Sequence, residues 1–347
     1  MSQTILITGG CGFIGSNLVA FFLRQGFRVR VLDSLARPGS EVNHLWLHSL
    51  GYDEELTIIR SDIRDAAAVE SAVHGVDGIF HAAGQVAVTH SVLHPREDFE
   101  INALGTINVL EAARRQRKPP LVVLTSTNKV YGATRHVPIV EQETRYMYGD
   151  ERPGISEEQP LDFHSPYGCS KGSADQYVLD YARIYGIPTV VLRMSCIYGP
   201  RQFGNEDQGW VAHFVISALK RNPITIFGDG KQVRDVLFID DLINMFWTVW
   251  QQHEHVAGEA FNIGGGPEHT LSIWREFGPL IERISGQQPA VAYGDWRPGD
   301  QRVYISDIRK AHERLGWSPQ IGVEEGVARL YNWLLREHPQ LSQMDNA

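Results

Sequence analysis

Tyr167 and Lys171, in the run Pro166-Tyr167-Gly168-Cys169-Ser170-Lys171, stand four residues apart. On a helix that spacing puts both side chains on one face, a turn apart. An ammonium beside a phenol favours the phenolate, so the Tyr167 pKa is expected to fall from about 10 toward neutrality. A phenolate can act as general base toward a hydroxyl proton. Alone, the pair describes a solvated helix face equally well, and the rest of the chain decides between the two.

Upstream, Thr4 to Thr8 (TILIT) is a short apolar run, as expected of a strand buried on both faces of a parallel sheet. It opens onto Gly9-Gly10-Cys11-Gly12-Phe13-Ile14-Gly15 and then a helical pattern through Phe22. Gly9, Gly12 and Gly15 have the spacing of a dinucleotide loop, with Phe13 and Ile14 opening the helix whose free N–H groups would face a pyrophosphate. The next strand, Arg28 to Leu32, ends at Asp33. A carboxylate there accepts hydrogen bonds from both ribose hydroxyls and repels a 2′-phosphate, which points to NAD rather than NADP. Nearby Arg37 either faces solvent or adenine, or could receive such a phosphate. Leu56 to Arg60 reads as a third strand, with Asp62 and Ile63 after it where an adenine edge would lie. Asp77 to His81 reads as a fourth, and the small residues Ala82, Ala83 and Gly84 then let backbone approach the cofactor.

Val92 to Arg117 reads as one amphipathic helix with Phe99, Ile101, Leu104, Ile107, Val109 and Leu110 on its apolar face. Asn102, among them, either bonds backbone or orders a water. Leu121 to Ser126 is the fifth strand and opens onto Thr127, Asn128 and Lys129. Ligands of an open parallel sheet bind beyond the carboxyl ends of its strands, so Thr127 is placed to hydrogen-bond a substrate hydroxyl. The Tyr167–Lys171 helix follows, to about Tyr185, and Pro188 to Met194 is a sixth strand. Gln208 to Arg221, Asp240 to Gln252, Leu271 to Ser285, Asp307 to Leu315 and Glu324 to Leu335 read as helices, and Glu259 to Gly264 as a strand returning to the first domain. The fold expected is α/β: a Rossmann-type doubly wound parallel sheet with a smaller, sequence-interleaved C-terminal substrate-binding domain. Residues 1–187 form the first, completed near 188–200 and 236–266; 201–235 and 267–340 form the second. From about Pro339 the chain reads as a frayed tail.

The chain has 347 residues, 32 basic and 41 acidic, for a net charge of −9. That balance, without any Lys/Arg run, argues against a nucleic-acid surface. No apolar run approaches the roughly 20 residues of a membrane span, and the N-terminus has no leader pattern. Cys11, Cys169 and Cys196 lack metal-ligand spacing, so no metal is expected, and a reduced, cytoplasmic setting fits.

Taken together, Thr8-Gly9-x-x-Gly12-Phe13-Ile14-Gly15, Asp33, Asp62-Ile63, His81-Ala82-Ala83-Gly84, Thr127, Tyr167-x-x-x-Lys171 and Tyr198-Gly199-Pro200-Arg201 resemble the extended short-chain dehydrogenase/reductase family, over roughly residues 3 to 337. The resemblance implies a tightly held NAD, a nucleotide-diphosphate sugar as substrate, and Thr127, Tyr167 and Lys171 as the catalytic set. It assigns NAD contacts to Gly9, Gly12, Gly15, Asp33, Asp62 and Ile63. Sugar-nucleotide 4,6-dehydratases of the family carry Thr-Asp-Glu at positions 127 to 129, because expelling water needs an acid and a base. Asn128 and Lys129 cannot fill those roles, so dehydration is disfavoured. The stretches 126–132, 161–172, 201–203 and Asp207-Gln208-Gly209-Trp210, with an insert from Glu141 to Gln159, are similar instead to the family's 2-epimerase branch. That implies C2 epimerisation of a CDP-hexose (CDP-paratose to CDP-tyvelose, or a CDP-glucose-type substrate); the alternative is a UDP-hexose 4-epimerase using the same three residues. Asn128, Lys129 and Gln208 are then substrate contacts. Family members often have Asn where Cys196 stands, and Ser195 would supply that contact. Phe227 reads as a wall for the base. Arg234 and Arg297 read as cations for the diphosphate, or as partners of Asp235 and Asp300. Trp210 and Trp296 read as core. The insert either covers the sugar or is a surface loop. A homodimer or homotetramer built on the two long helices is implied by the family.

Overall fold

The computed structural model describes residues 3–297 and 300–337. The expected tail from Pro339 lies outside the described residues. In chain order the elements are β1 (Thr4–Thr8), α1 (Phe13–Arg24), β2 (Arg28–Asp33), α2 (Ser40–His48), β3 (Leu56–Arg60), α3 (Ala66–Val73), β4 (Gly78–His81), α4 (Val88–Leu93), α5 (Pro95–Phe99), α6 (Gly105–Arg114) and β5 (Leu121–Thr127). Then come β6 (Ile139–Glu141), β7 (Tyr146–Tyr148), α7 (Ser165–Tyr185), β8 (Thr189–Met194), β9 (Cys196–Tyr198), α8 (Trp210–Leu219), β10 (Ile224–Phe227), β11 (Val233–Phe238), α9 (Ile239–Val256) and β12 (Glu259–Ile263). β13 (Thr270–Ser272), α10 (Phe277–Ser285), β14 (Val291–Gly294), β15 (Val303–Tyr304), α11 (Arg309–Leu315) and α12 (Val323–Glu337) complete the chain.

Seven parallel strands run in the order β12-β8-β5-β4-β1-β2-β3, the doubly wound α/β arrangement read from the sequence. β1 pairs with both β2 and β4, so the strand order reverses at β1, where such sheets bind ligands. One face packs Val69, Val73, Val109, Leu110 and Val178 against Leu6, Ile79, Val122 and Leu124, all buried. On Phe22, aromatic rings of Phe27, Phe80, Trp247 and Trp250 close within 4.9–6.3 Å. Gly78 is required there: a Cβ would run into the Trp250 ring.

The chain divides into two compact units, 1–130 with 163–194 and 243–261, and 131–162 with 195–242 and 262–347. Residues 131–162, placed with the first domain by sequence, thus group with the second unit. That unit carries a sheet of β13, β11, β15 and β9, and the pair β10–β14. The insert is not structureless. Its strands β6 and β7 form a hairpin, and Arg145 bonds Glu276 through Nε at 2.6 Å and Nη2 at 2.5 Å.

Two elements differ from the sequence expectation. The helix expected over Val92–Arg117 is broken at His94 (φ −131°), because Pro95 cannot donate its backbone N–H and starts a new helix. Beyond it, one π-helical turn at Glu100–Leu104 widens the helix before α6. The helix expected from Leu271 begins only at Phe277. Leu271 is instead in strand β13 beside β11, and Ser272 and Glu276 bond each other's backbone N–H, at 2.9 and 2.8 Å, which turns the chain. No described helix is long and apolar enough to cross a membrane.

Candidate active site

The loop between β1 and α1 is shaped to hold a phosphate group. Gly9 has φ +67°, and a Cβ on it would stand 2.7 Å from Ala83 N. A Cβ on Gly15 would meet Gly9 O and lie 2.7 Å from Gly10 Cα. Gly12 caps α1 without a side chain, so the first N–H groups of the helix, from Phe13 and Ile14 onward, face the loop. Asp33, at the end of β2 and 9% exposed, accepts from Cys11 N and Leu35 N, both at 2.8 Å. Two backbone donors fix the carboxylate and leave lone pairs for ribose hydroxyls. Ala82 N and Ala83 N bond Thr8 O and Thr8 Oγ1, which ties the end of β4 to β1. His81 is fully buried between Thr8 Oγ1 at 2.7 Å and Thr106 Oγ1 at 3.0 Å, and burial lowers its pKa to about 3, so it is neutral. Asp62 is held by Arg64 at 2.7 Å, with its pKa lowered by that pair, while Ile63 is buried against Gly105. These residues fit NAD: a cradle that any Cβ would fill, and an oriented carboxylate.

Across β1 and β4 stand the reactive groups. Thr127, at the carboxyl end of β5 and 7% exposed, stands close enough to the Tyr167 phenol to favour its ionised form. Lys129 N also donates to Thr127 Oγ1, at 3.2 Å, and Asn128 Oδ1 accepts from it at 3.4 Å. α7 starts at Ser165 (φ +64°) with Pro166 in its first turn, and Tyr167 N donates to Ser91 Oγ at 3.2 Å. Tyr167 and Lys171 therefore share one buried helix face, as their spacing required.

Their electrostatics differ from the expectation. Burial pushes the Tyr167 phenol up rather than down, Asp98 adds to this, and Thr127 and Arg37 oppose it. Lys171 Nζ is not spent on the phenol; it donates to Thr125 O at 2.6 Å. Burial lowers the Lys171 pKa to about 8 against the pull of Asp175 and Asp98. The correction has a plain cause: desolvation is the largest influence on each of the two buried groups.

The second unit holds the remaining residues singled out in the sequence. Arg297 lies over the Phe227 ring, 4.0 Å from its centroid, and bonds Glu206 O at 3.0 Å. Arg234 is buried and paired to Asp300 at 2.6 Å. Ser195 Oγ donates to the fully buried carboxylate of Asp235 at 2.5 Å. Cys196 pairs with Val236 in the strand ladder. Gln208 N closes a turn on Asn205 O at 3.1 Å. Trp210 packs on Phe214 and Phe277, as a core residue, whereas Trp296 is 40% exposed.

Sequence reasoning missed Asp98 and Ser170 around the tyrosine, and it read Asp175 as one of the polar residues on the outer side of α7, where the structure buries it. Asp98 and Ser170 join α5 to α7, at 2.5 Å, and the buried Asp175–Arg193 pair, at 2.8 Å, receives Ser126 Oγ at 2.7 Å. Asp98, four residues before Asn102, and Ser170, three after Tyr167, were visible as polar residues at helical spacing from two that were noticed.

Comparison with known proteins agrees with this geometry. The family model described as GDP-mannose 4,6 dehydratase matches residues 6–330. The CDP-paratose 2-epimerase of Salmonella typhi is 45% identical over 336 residues, covering 95% of this chain and 98% of that protein. The structure of a Bacillus cereus UDP-glucuronic acid 4-epimerase with UDP-glucuronic acid and NAD superposes with a TM-score of 0.83, at 28% identity, over 97% of this chain and 100% of that one. A Streptomyces venezuelae dTDP-glucose 4,6-dehydratase with NAD bound gives 0.82, at 29% identity, over 98% and 99%.

Proposed function

Since the chain belongs to the GDP-mannose 4,6-dehydratase family, within the extended short-chain dehydrogenases/reductases, we propose that this NAD-dependent nucleotide-sugar epimerase inverts C2 of a CDP-hexose. CDP-paratose, giving CDP-tyvelose, or a CDP-glucose-type sugar is the substrate. The observation that carries the proposal is the buried set Thr127, Tyr167 and Lys171 beside Asn128-Lys129. Tyr167 would exchange a proton with one substrate hydroxyl, and Asn128-Lys129 do not offer the acid–base pair that expelling water needs.

A C2–H with no adjacent carbonyl is far too weakly acidic for a side-chain base, so inversion requires a transient ketone at C2. NAD, when bound against Gly9, Gly12, Gly15 and Asp33, supplies the hydride acceptor and donor for that oxidation and reversal. Tyr167 takes the C2 hydroxyl proton and later returns it. Thr127 bonds the same oxygen and keeps it aligned. Lys171 stabilises the phenolate as charge develops on it, with Thr125 O holding the ammonium on the correct side. Arg297 on Phe227 offers the diphosphate a cation and the base a wall, and Arg234 a second cation. Asn128, Lys129, Ser195 and Gln208 are the sugar contacts. Exposed Val92, Leu93, Phe99, Leu104, Ile184 and Tyr185 on α4–α7 give the surface for self-association. A cytoplasmic setting suits a protein whose cysteines stay reduced.

Proton NMR of the protein with CDP-paratose, CDP-glucose and UDP-glucose in deuterated water, without added NAD, tests the proposal. A C2 epimer retaining its hydrogen is expected. A C4 epimer would place the enzyme with the 4-epimerases, and deuterium at C2 would refute an internal redox cycle.

A further inference from the structure

Asp98 is fully buried at the end of α5, one helical turn before the π-turn that carries Asn102. Every oxygen of its carboxylate is used. Oδ1 accepts from Gln85 Nε2 and Asn102 Nδ2, both at 3.1 Å, and Oδ2 accepts from Ser170 Oγ at 2.5 Å. Ser170 also reaches Tyr167 O at 3.2 Å and receives Asn102 Nδ2 at 3.1 Å. One carboxylate thus ties the loop after β4, the π-turn and the first turn of α7, which carries Tyr167 and precedes Lys171.

Burying a carboxylate is costly unless it answers a charge. The charged and titratable groups facing this cluster can be named. Lys171 and Tyr167 approach Asp98 from α7, and His90, itself paired to Glu97 at 3.0 Å, from α4. Asp175 faces Lys171 from within α7 but is already committed to Arg193 and Ser126, and His81 is neutral. Arg37 faces Tyr167 from the loop after β2. Asp98 is therefore the carboxylate near Lys171 that has no guanidinium of its own among these groups.

We propose that Asp98 is a positioning residue of the active site: through Ser170 it fixes the turn that presents Tyr167, and with Asp175 it places negative charge near the buried Tyr167–Lys171 pair. This rests on Tyr167 being the proton acceptor. Asp98 is also seen by the phenol, whose ionisation it opposes, so the carboxylate acts on both members of the pair in the same direction. In a catalytic cycle that needs phenolate and ammonium together, the two limbs of the pH profile report the proton affinities of the Tyr167–Lys171 pair. Removing the negative charge moves both limbs to lower pH.

The test is the pH profile of kcat/KM for the holoenzyme and the variants Asp98→Asn, Ser170→Ala and Tyr167→Phe. Asp98→Asn preserves the shape, since the new carbonyl accepts from Gln85 and Asn102 and the amide donates to Ser170 Oγ. Both limbs are expected to shift acidward by about one pH unit, with NAD content and melting temperature retained. Ser170→Ala keeps the charge and cuts the link, so kcat should fall about tenfold with the limbs in place. Limbs in Asp98→Asn that coincide with wild type would overturn the charge role. A Ser170→Ala enzyme with wild-type kcat would overturn the positioning role, even if Asp98→Asn did not fold. Turnover persisting in Tyr167→Phe would instead overturn the assignment of Tyr167 itself.

Discussion

Replacing Lys171 by Met should stop catalysis and yet make the NAD-free protein more stable at neutral pH. The ammonium is 5% exposed, and its pKa is lowered from 10.5 to about 8, chiefly by burial. At about 1.4 kcal/mol per pH unit, that gap is a penalty of about 3 kcal/mol for holding the charge in the folded protein. Below pH 8 folded and unfolded chains both carry the proton, so the whole penalty is present. Between about 8 and 10.5 only the unfolded chain binds it, and stability rises with pH. Met fills a similar volume but forfeits the bond to Thr125 O, worth about 1 kcal/mol. The variant should therefore be about 2 kcal/mol more stable at pH 7 and, once the wild-type amine is neutral in both states, about 1 kcal/mol less stable above pH 10.5. Urea unfolding of both proteins at pH 7, 8, 9 and 10.5 reads the difference directly. A difference that stays constant over that range would refute the buried-charge account and leave Lys171 as an ordinary hydrogen-bonded side chain.

His81 titrates in the opposite window. Its folded pKa, about 3, lies below the ordinary 6.5, so the unfolded chain gains a proton first as the pH drops. Its contribution is complete above 6.5 and is lost at about 1.4 kcal/mol per pH unit on the acid side. His81→Gln, still able to bridge Thr8 and Thr106, should lose about 2 kcal/mol less than wild type between pH 7 and pH 5 in urea melts; equal losses would contradict a neutral buried histidine. On the surface, Ile184 and Leu93 are 63% and 75% exposed on α7 and α4. Ile184→Glu with Leu93→Glu should turn an oligomer into monomers in sedimentation velocity, and an unchanged coefficient would exclude this face as the association surface.

What could be read from the chain alone follows from which constraints are local. The glycine loop was legible because a phosphate cradle imposes close backbone approach within seven residues, and Gly9 and Gly15 are where a Cβ does not fit. Asp33 was legible because a strand end dictates where its side chain goes. The break at His94 was legible in principle, since Pro95 announces it, but the apolar spacing of Phe99, Ile101 and Leu104 continued across it and masked the signal. The spacing of Leu271 and Phe277 misled in the same way, because a strand followed by a turn can carry apolar residues at helical intervals.

The electrostatics of the tyrosine were not legible, and the reason is physical. Spacing of four residues fixes that Tyr167 and Lys171 share a face, but it does not say what captures the ammonium. That partner is the carbonyl of Thr125, 46 residues upstream, and of the two carboxylates that act on the ammonium, Asp175 and Asp98, the second reaches α7 from 72 residues upstream of Ser170. Desolvation is likewise a property of everything packed around a group, and here it is the largest influence on the Tyr167 phenol. That Tyr167 and Lys171 share a face can thus be read from local periodicity, whereas their proton affinities are set by the assembled α5, β5 and α7. Substitutions at Asp98, Thr125 and Ser170 are for that reason where the chemistry of Tyr167 and Lys171 can be altered without touching either residue.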